Sequence, residues 1–304
     1  MGAARLRYAP FMESRPFGRT GLTVPLLGLG AGHIGDPALS EDEVGRLLHG
    51  AVDSGVTLID TARSYGLSEE RIGRHLQGRR DEIVLSTKVG YGIAGHADWT
   101  GPIISAGVEA ALGRLRTDRI DIVHLHSCPL EILARGEVIA ALQAEVAAGR
   151  VRIAAYSGDN APLDWAIASG AFGSVELSVS FLDQRGIEHS LKPAMERGLG
   201  VIAKRPAANA PWRFAERPTA ADLALYWDRW QALGLDPGPL SWTGLALRFA
   251  VYTAGVGSAI VGTASLDHLR QNLAEVEKGP LPEEITARIR AAFATRGQGW
   301  EGQI

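Results

Sequence analysis

Short apolar runs alternate along this chain with longer stretches in which apolar residues recur every three or four positions. The short runs read as buried strands: Val24–Leu29, Thr57–Asp60, Ile83–Thr87, Asp121–Leu125, Val151–Tyr156, Ser174–Ser178, Leu199–Ala203 and Ser258–Val261. The longer stretches read as helices: Glu41–Ser54, Ser68–Leu76, Ile104–Leu115, Glu131–Ala148, Ala161–Ala168, Ile187–Arg197, Leu240–Tyr252 and Ser265–Val276. Ser40 followed by Glu43 gives the first helix a capping box. Every crossover between strands is long enough to hold a helix, which implies parallel strands. Eight strands in one such series close most simply as a (β/α)8 barrel. An open doubly wound sheet is the alternative, and its usual mark is a G-x-G-x-x-G loop after the first strand. The first strand here runs into GLGAGHIGD, which is glycine-rich but differently spaced and not followed at once by a helix.

The longest connection, Arg205–Pro239, holds Trp212, Phe214, Tyr226, Trp227 and Trp230 and one helix-like piece, Thr219–Leu233. It follows a strand, so it lies on the barrel face where catalytic groups collect. It reads equally as a lid over a substrate or as an extra helix packing its aromatics on the barrel wall. Residues 1–14 read as a flexible tail and residues 15–304 as one domain.

Composition narrows the class. Hydrophobic residues make up 46% and charged residues 21%, as in a soluble globular protein. A net charge of −3 gives no reason to expect nucleic acid or an anionic membrane as partner. No run approaches the ~18 apolar residues of a membrane span. Residues 1–15 carry no signal-peptide pattern, and Leu6 stands where a myristoylation motif wants Ser or Thr. The single cysteine, Cys128, excludes an internal disulfide framework and fits a reducing, cytoplasmic compartment. Only four of the 31 basic residues are lysine, and two of them, Lys88 and Lys204, fall at strand ends. Lysine, unlike arginine, has a proton that chemistry can use.

Three strand-like runs end in a titratable residue: TLID at Asp60, EIVLSTK at Lys88 and IDIVHLH at His126. Tyr65 follows Asp60 by five residues. In a parallel barrel these ends open on one face, so the four residues point to one site. A phenol is a poor acid at neutral pH; a nearby ammonium lowers its pKa, and a carboxylate keeps that ammonium charged and placed. Asp60, Lys88 and Tyr65 fit such a relay, with His126 holding a substrate oxygen by hydrogen bonding. A carbonyl so held is ready for hydride addition, and the hydride must come from a nicotinamide because no side chain supplies one. His124 has the same parity as His126 and reads as a core histidine one layer deeper. The pair lacks further ligands at metal spacing, so no metal is expected.

The run LIDTARSYGLSEERIG, then STKVG, then DIVHLH resembles the aldo-keto reductases. RPFGRTGLTVPLLGLGAG is similar to that family's amino-terminal hairpin and first strand, and GRVRIAAYSG and IVGTASLDHLRQNL follow in the family's order. The resemblance implies a (β/α)8 barrel that binds NADP(H), with NAD(H) as the alternative, and a tetrad of Asp60, Tyr65, Lys88 and His126. Tyr65 would then be general acid for reduction and base for oxidation of a small carbonyl or alcohol substrate. It further implies cofactor contacts at Gly30, Ala31, Asp60, Ser157, Gly158, Glu176, Lys204, Arg205, Pro206, Gly262, Thr263, Ser265, His268, Gln271 and Asn272. Several of these depart from the family pattern. Gly158 replaces an Asn, Glu176 a Gln, and Lys204–Arg205 an aromatic and a Ser, while His268 or Arg270 stands where a cation usually meets the 2′-phosphate. His33, Tyr91 and Trp212 are the expected substrate lining. Two rivals differ in class: a lyase using Lys88 as a Schiff-base nucleophile, and a nicotinamide-binding regulator with little activity.

Overall fold

The computed structural model describes residues 12–304. The expected tail over 1–14 therefore falls mostly outside the described residues; of its last positions, Met12 is buried in the core and Ser14 opens the first strand. That strand, β1 (Ser14–Pro16), pairs antiparallel with β2 (Thr23–Pro25). Eight parallel strands then form a closed barrel: β3 (Leu27–Gly30), β4 (Leu58–Asp60), β5 (Val84–Val89), β6 (Ile120–His126), β7 (Val151–Ser157), β8 (Ser174–Ser178), β9 (Gly200–Lys204) and β10 (Ser258–Gly262). β10 closes the ring by pairing with both β3 and β9. The chain is thus a (β/α)8 barrel with an amino-terminal hairpin.

The single strand expected at Val24–Leu29 is two elements. Pro25 cannot donate a ladder hydrogen bond, so the hairpin strand stops there and the barrel strand begins afresh at Leu27. The helices are α1 (Glu41–Asp53), α2 (Ser68–Leu76), α3 (Gly101–Leu115), α4 (Leu130–Arg135), α5 (Glu137–Ala147), α6 (Asn160–Ser169), α7 (Arg185–His189), α8 (Leu191–Glu196), α9 (Ala221–Leu233), α10 (Trp242–Val251), α11 (Leu266–Val276) and α12 (Glu283–Arg296). The capping box of Ser40 and Glu43 is formed. The helix expected over 131–148 breaks at Gly136, whose φ of 78° lies in the left-handed region that ends a helix. α12 has no counterpart in the sequence reading, although Ile285, Ile289 and Phe293 recur at helical spacing after Pro282 and two glutamates.

Inward-facing strand residues decide what the barrel can do. At its lower end Leu58, Ile122, Ile153, Ile202 and Ile260 form an apolar plug with Phe17 of the hairpin turn. Gly200 makes room for Phe17, because a Cβ there would lie 2.4 Å from its ring. Two residues further along the same strands the inward positions become polar: Asp60 after Leu58, His124 after Ile122, Ser157 after Ala155 and Lys204 after Ile202. Ser86, Lys88 and Glu176 complete this layer, and all but Lys204 are buried. No helix among the described residues is long and apolar enough to cross a membrane.

Candidate active site

Strand register brings the titratable residues together. Asp60 lies opposite Ser86, Lys88 opposite His124, and Ser157 opposite Glu176. Lys88 Nζ donates to Asp60 Oδ2 at 2.5 Å and to the Thr61 carbonyl at 3.1 Å, and Ser86 donates to Asp60 Oδ1 at 2.7 Å. Tyr65 comes from the turn between β4 and α2, where Gly35 packs so closely that a Cβ would fall 1.7 Å from the Tyr65 carbonyl oxygen. Arg71 holds the facing loop through the carbonyls of Ile34, Asp36 and Leu39 at 2.6 to 2.8 Å and through Glu41 at 3.0 Å. The Tyr65 ring lies over the ammonium, with Lys88 Nζ 5.3 Å from its centroid, and meets the His126 ring edge-on at 6.2 Å. All four tetrad residues are thus in one place.

A second carboxylate joins them. Glu176 Oε2 lies 3.5 Å from Lys88 Nζ and 3.8 Å from His124 Nε2, while its Oε1 accepts from Ser157 at 3.1 Å. Asp60, His124 and Glu176 each offer an atom within 4.8 Å of the others, but the cation the two carboxylates share is Lys88. Burial, and then the charge of Glu176, raises the Asp60 carboxyl to about 7 against the pull of Lys88 and Ser86. Burial pushes Glu176 up as well, but Lys88 and the neighbouring histidines take it down. The two carboxylates therefore titrate as a unit. Burial opposes the charge on Lys88, but its two carboxylates outweigh burial and hold it fully protonated. Lys88 draws the Tyr65 phenol down, yet burial, Asp60, Glu176 and Tyr91 together leave it above its ordinary value. The expected net lowering by the ammonium is therefore reversed, first by burial and then by the two carboxyl groups that share it.

His126 is held neutral: burial, then the Lys88 charge, takes it down to about 3. Its Nδ1 lies 2.7 Å from the Tyr91 hydroxyl, and the rings stack at 5.5 Å. With Tyr91 donating, the imidazole proton sits on Nε2, the tautomer able to donate to a substrate oxygen. Tyr91, expected as lining, is half-buried and stacks on the His126 ring. His33 lines a cavity of about 550 Å³ beside Tyr65, together with Gly32, Asp36, Leu39 and Ala264. Trp212 does not reach that cavity: it stacks on Trp242 at 5.9 Å and packs on Phe181 at 6.2 Å. The insertion packs through α9 against α10, with its Tyr226 and Leu233 fully covered.

The residues assigned to a dinucleotide divide into two groups. Gly30 and Gly262 face each other across the β3–β10 seam, Ala31 follows, and Thr263 and Ser265 shape the start of α11, where Ser265 caps the His268 N–H at 3.3 Å. His268 and Gln271 are exposed and Asn272 half-buried on that helix. An exposed glycine before a capped helix start fits a phosphate group. At the other end the expected contacts have partners within the chain. Lys204 pairs with Asp159 at 2.6 Å, and Pro206 is buried. Residues 301–304 cross this end as a strap. Gly302 exchanges two hydrogen bonds with Asn160 at 2.8 and 3.0 Å, and the Gln303 carbonyl accepts from Lys204 at 2.9 Å, Ser178 at 3.0 Å and Arg205 at 2.5 Å. Asp183 accepts from the Gln303 N–H at 3.1 Å. Nothing in the local sequence of the strap signals these contacts.

A family profile described as the Aldo/keto reductase family matches residues 26–294. L-Galactose dehydrogenase of Arabidopsis thaliana is 27% identical over 92% of this chain and 94% of its own length. D-threo-Aldose 1-dehydrogenase of a Pseudomonas species is 26% identical over 90% of this chain and 95% of its own. Among solved structures, the holo form of aldo-keto reductase AKR11C1 from Bacillus halodurans superposes with a TM-score of 0.78 at 26% identity, covering 92% of this chain and 96% of that one.

Proposed function

Because the chain belongs to the aldo/keto reductase family and is an NAD(P)-dependent oxidoreductase, we propose that it interconverts a carbonyl compound and its alcohol with Tyr65 as the proton-transferring group. The observation that carries this is the Lys88 ammonium, bonded to Asp60 at 2.5 Å with the Tyr65 ring above it and neutral His126 beside it. A bound nicotinamide would supply or accept the hydride. Gly262, Thr263 and Ser265 with the start of α11 would hold its phosphates, His268, Gln271 and Asn272 its adenosine end, and Ser157 and Gly158 its amide. NADP(H) is the preferred form and NAD(H) the alternative, since an imidazole at position 268 is a weaker partner for a 2′-phosphate than a permanent cation.

In reduction, His126 Nε2 orients the carbonyl oxygen and polarises the bond. With a hydride supplied to the carbonyl carbon, the electron pair of the C=O bond would move to oxygen, and that oxygen would take the Tyr65 proton. The resulting tyrosinate faces Lys88 and regains its proton from solvent. The phenol, held above its ordinary pKa, carries the proton it would donate at neutral pH. The two relatives described above bear the names of sugar dehydrogenases, so aldoses belong in the first screen beside simple aldehydes. The test follows nicotinamide absorbance with each substrate class, for the unaltered protein and for Tyr65→Phe. We expect turnover that falls by roughly 10²–10⁴-fold in Tyr65→Phe with cofactor affinity retained. Equal turnover by the two proteins would remove Tyr65 from the chemistry.

A further inference from the structure

Barrel interiors are usually filled by branched aliphatic side chains. In this barrel the layer beneath the catalytic face holds Ser86, His124 and Glu176 instead, all fully buried with Asp60 and Lys88. A buried carboxylate is costly without a partner. Glu176 Oε1 has Ser157, but Oε2 has no hydrogen-bond donor and only the Lys88 ammonium at 3.5 Å and the His124 ring at 3.8 Å. His124 is neutral, because burial, against the pull of Glu176, takes it down to about 4. His126 on the same strand is neutral too, and Lys204 on β9 is bonded to Asp159. Around Tyr65 there are thus one close buried cation, Lys88, and two buried carboxylates, Asp60 on β4 and Glu176 on β8, with the neutral phenol of Tyr91 beside them and His33 and Asp36 on the cavity side.

We propose that Glu176 is a positioning residue that shares the Lys88 ammonium with Asp60, so that Tyr65 keeps its proton to higher pH than it would beside a single carboxylate. The geometry supplies the reason. Asp60 alone would make a neutral pair with Lys88; the second carboxylate leaves the cluster net negative, and a phenolate next to it is opposed. Resting on the functional reading above, the consequence is a site biased toward carbonyl reduction, which needs the phenol, and away from oxidation, which needs the phenolate. The role acts through the Lys88 ammonium, 3.5 Å from Oε2, and does not depend on a direct contact with cofactor.

The test needs no turnover. Tyrosinate absorbance is followed during alkaline titration of the unaltered protein and of Glu176→Gln, and each curve is corrected by the same protein carrying Tyr65→Phe, which isolates Tyr65 from the other tyrosines. Near-ultraviolet circular dichroism marks the range in which the fold is intact. Within it, the Tyr65 transition in Glu176→Gln should lie lower by about one pH unit, an approximately tenfold increase in its ionisation constant. Glu176→Asp retains the charge and should leave the transition near its original place. If Glu176→Gln does not fold, Glu176→Met carries the same prediction. Coincident curves for the charged and uncharged variants, or an equal shift in Glu176→Asp, would overturn the proposal. Kinetics supply the second readout: in Glu176→Gln the alkaline limb of reduction and the rise of oxidation should both move to lower pH. A shifted titration without turnover in any variant would leave the electrostatic assignment standing and refute the reductase reading instead.

Discussion

Burial of neutral histidine in the barrel makes a quantitative prediction about acid stability. His124 is fully buried with Nε2 3.1 Å from the Ser86 hydroxyl, and burial takes its pKa from an ordinary 6.5 down to about 4. Its folded-state pKa lies below the unfolded one, so the stability it confers is present above about 6.5 and is lost as pH falls towards 4. Between pH 7 and pH 4.5 the unfolded chain binds this proton and the folded chain largely does not, which costs about 2.5 kcal/mol by linkage. His124→Leu removes that dependence. The substitution also loses the Ser86 contact, but this changes stability by a similar amount at both pH values and leaves the difference intact. Urea unfolding of both proteins at pH 7 and pH 4.5 gives the measurement. The stability of the unaltered protein should fall by about 2.5 kcal/mol more than that of His124→Leu over this interval. Parallel losses would refute the reasoning, because they would mean that His124 takes up its proton in the folded barrel, with Glu176 as counter-ion.

Three further predictions concern the site. Lys88→Met leaves two buried carboxylates without their cation and should cost about 3–5 kcal/mol at pH 7 in urea unfolding. The loss should shrink at pH 5, since carboxyls raised by the missing ammonium favour the fold when protonated; a pH-independent loss would show that Lys88 acts through packing alone. Tyr91→Phe frees His126 Nδ1 and should lower kcat for reduction by roughly tenfold with smaller change in cofactor affinity, since it affects only the tautomer behind the catalytic face; unchanged kcat would separate Tyr91 from His126. Deleting residues 301–304 removes the strap from Lys204 and Arg205. If strap and nucleotide compete for this end of the site, NADPH affinity measured by tryptophan fluorescence should rise on the order of tenfold, and unchanged or weaker binding would exclude competition.

The barrel was legible because its information is local and periodic. Strand ends put Asp60, Lys88 and His126 on one face and parity put His124 a layer beneath His126, and the structure has these side chains together. The boundaries that shifted did so for equally local reasons, Pro25 and Gly136 among them. Electrostatic outcome was less legible. The effect of Lys88 on Tyr65 depends on how many carboxylates share that ammonium, and Glu176 reaches it from a strand about ninety residues away in sequence, on the far side of the barrel ring. Trp212 illustrates the same limit, since an aromatic-rich insertion has the same composition whether it covers a substrate or the barrel wall.

The residues around Gly158, Asp159, Lys204 and the strap are connected, which no single position reveals. Tyr156 leaves room at position 158 only for glycine: a Cβ there would lie 2.5 Å from the Tyr156 hydroxyl, which itself bonds the Cys128 carbonyl at 3.2 Å. The nearest amide is then Asn160, held in the left-handed region at φ 62° and bonded in both directions to Gly302. Gly302 must itself be small, since a Cβ there would lie 2.8 Å from Asp159 Cβ. Asp159 in turn anchors Lys204, and Lys204 and Arg205 converge on the Gln303 carbonyl. Small residues at 158 and 302, cations at 204 and 205 and an acid at 159 thus form one interlocked arrangement in which the strap satisfies polar groups that the barrel face would otherwise expose. A change at any one of these positions should therefore alter the others' effect on cofactor binding. Double-variant cycles between Lys204→Met and removal of the strap measure that coupling directly, and additive effects would show that the contacts are independent.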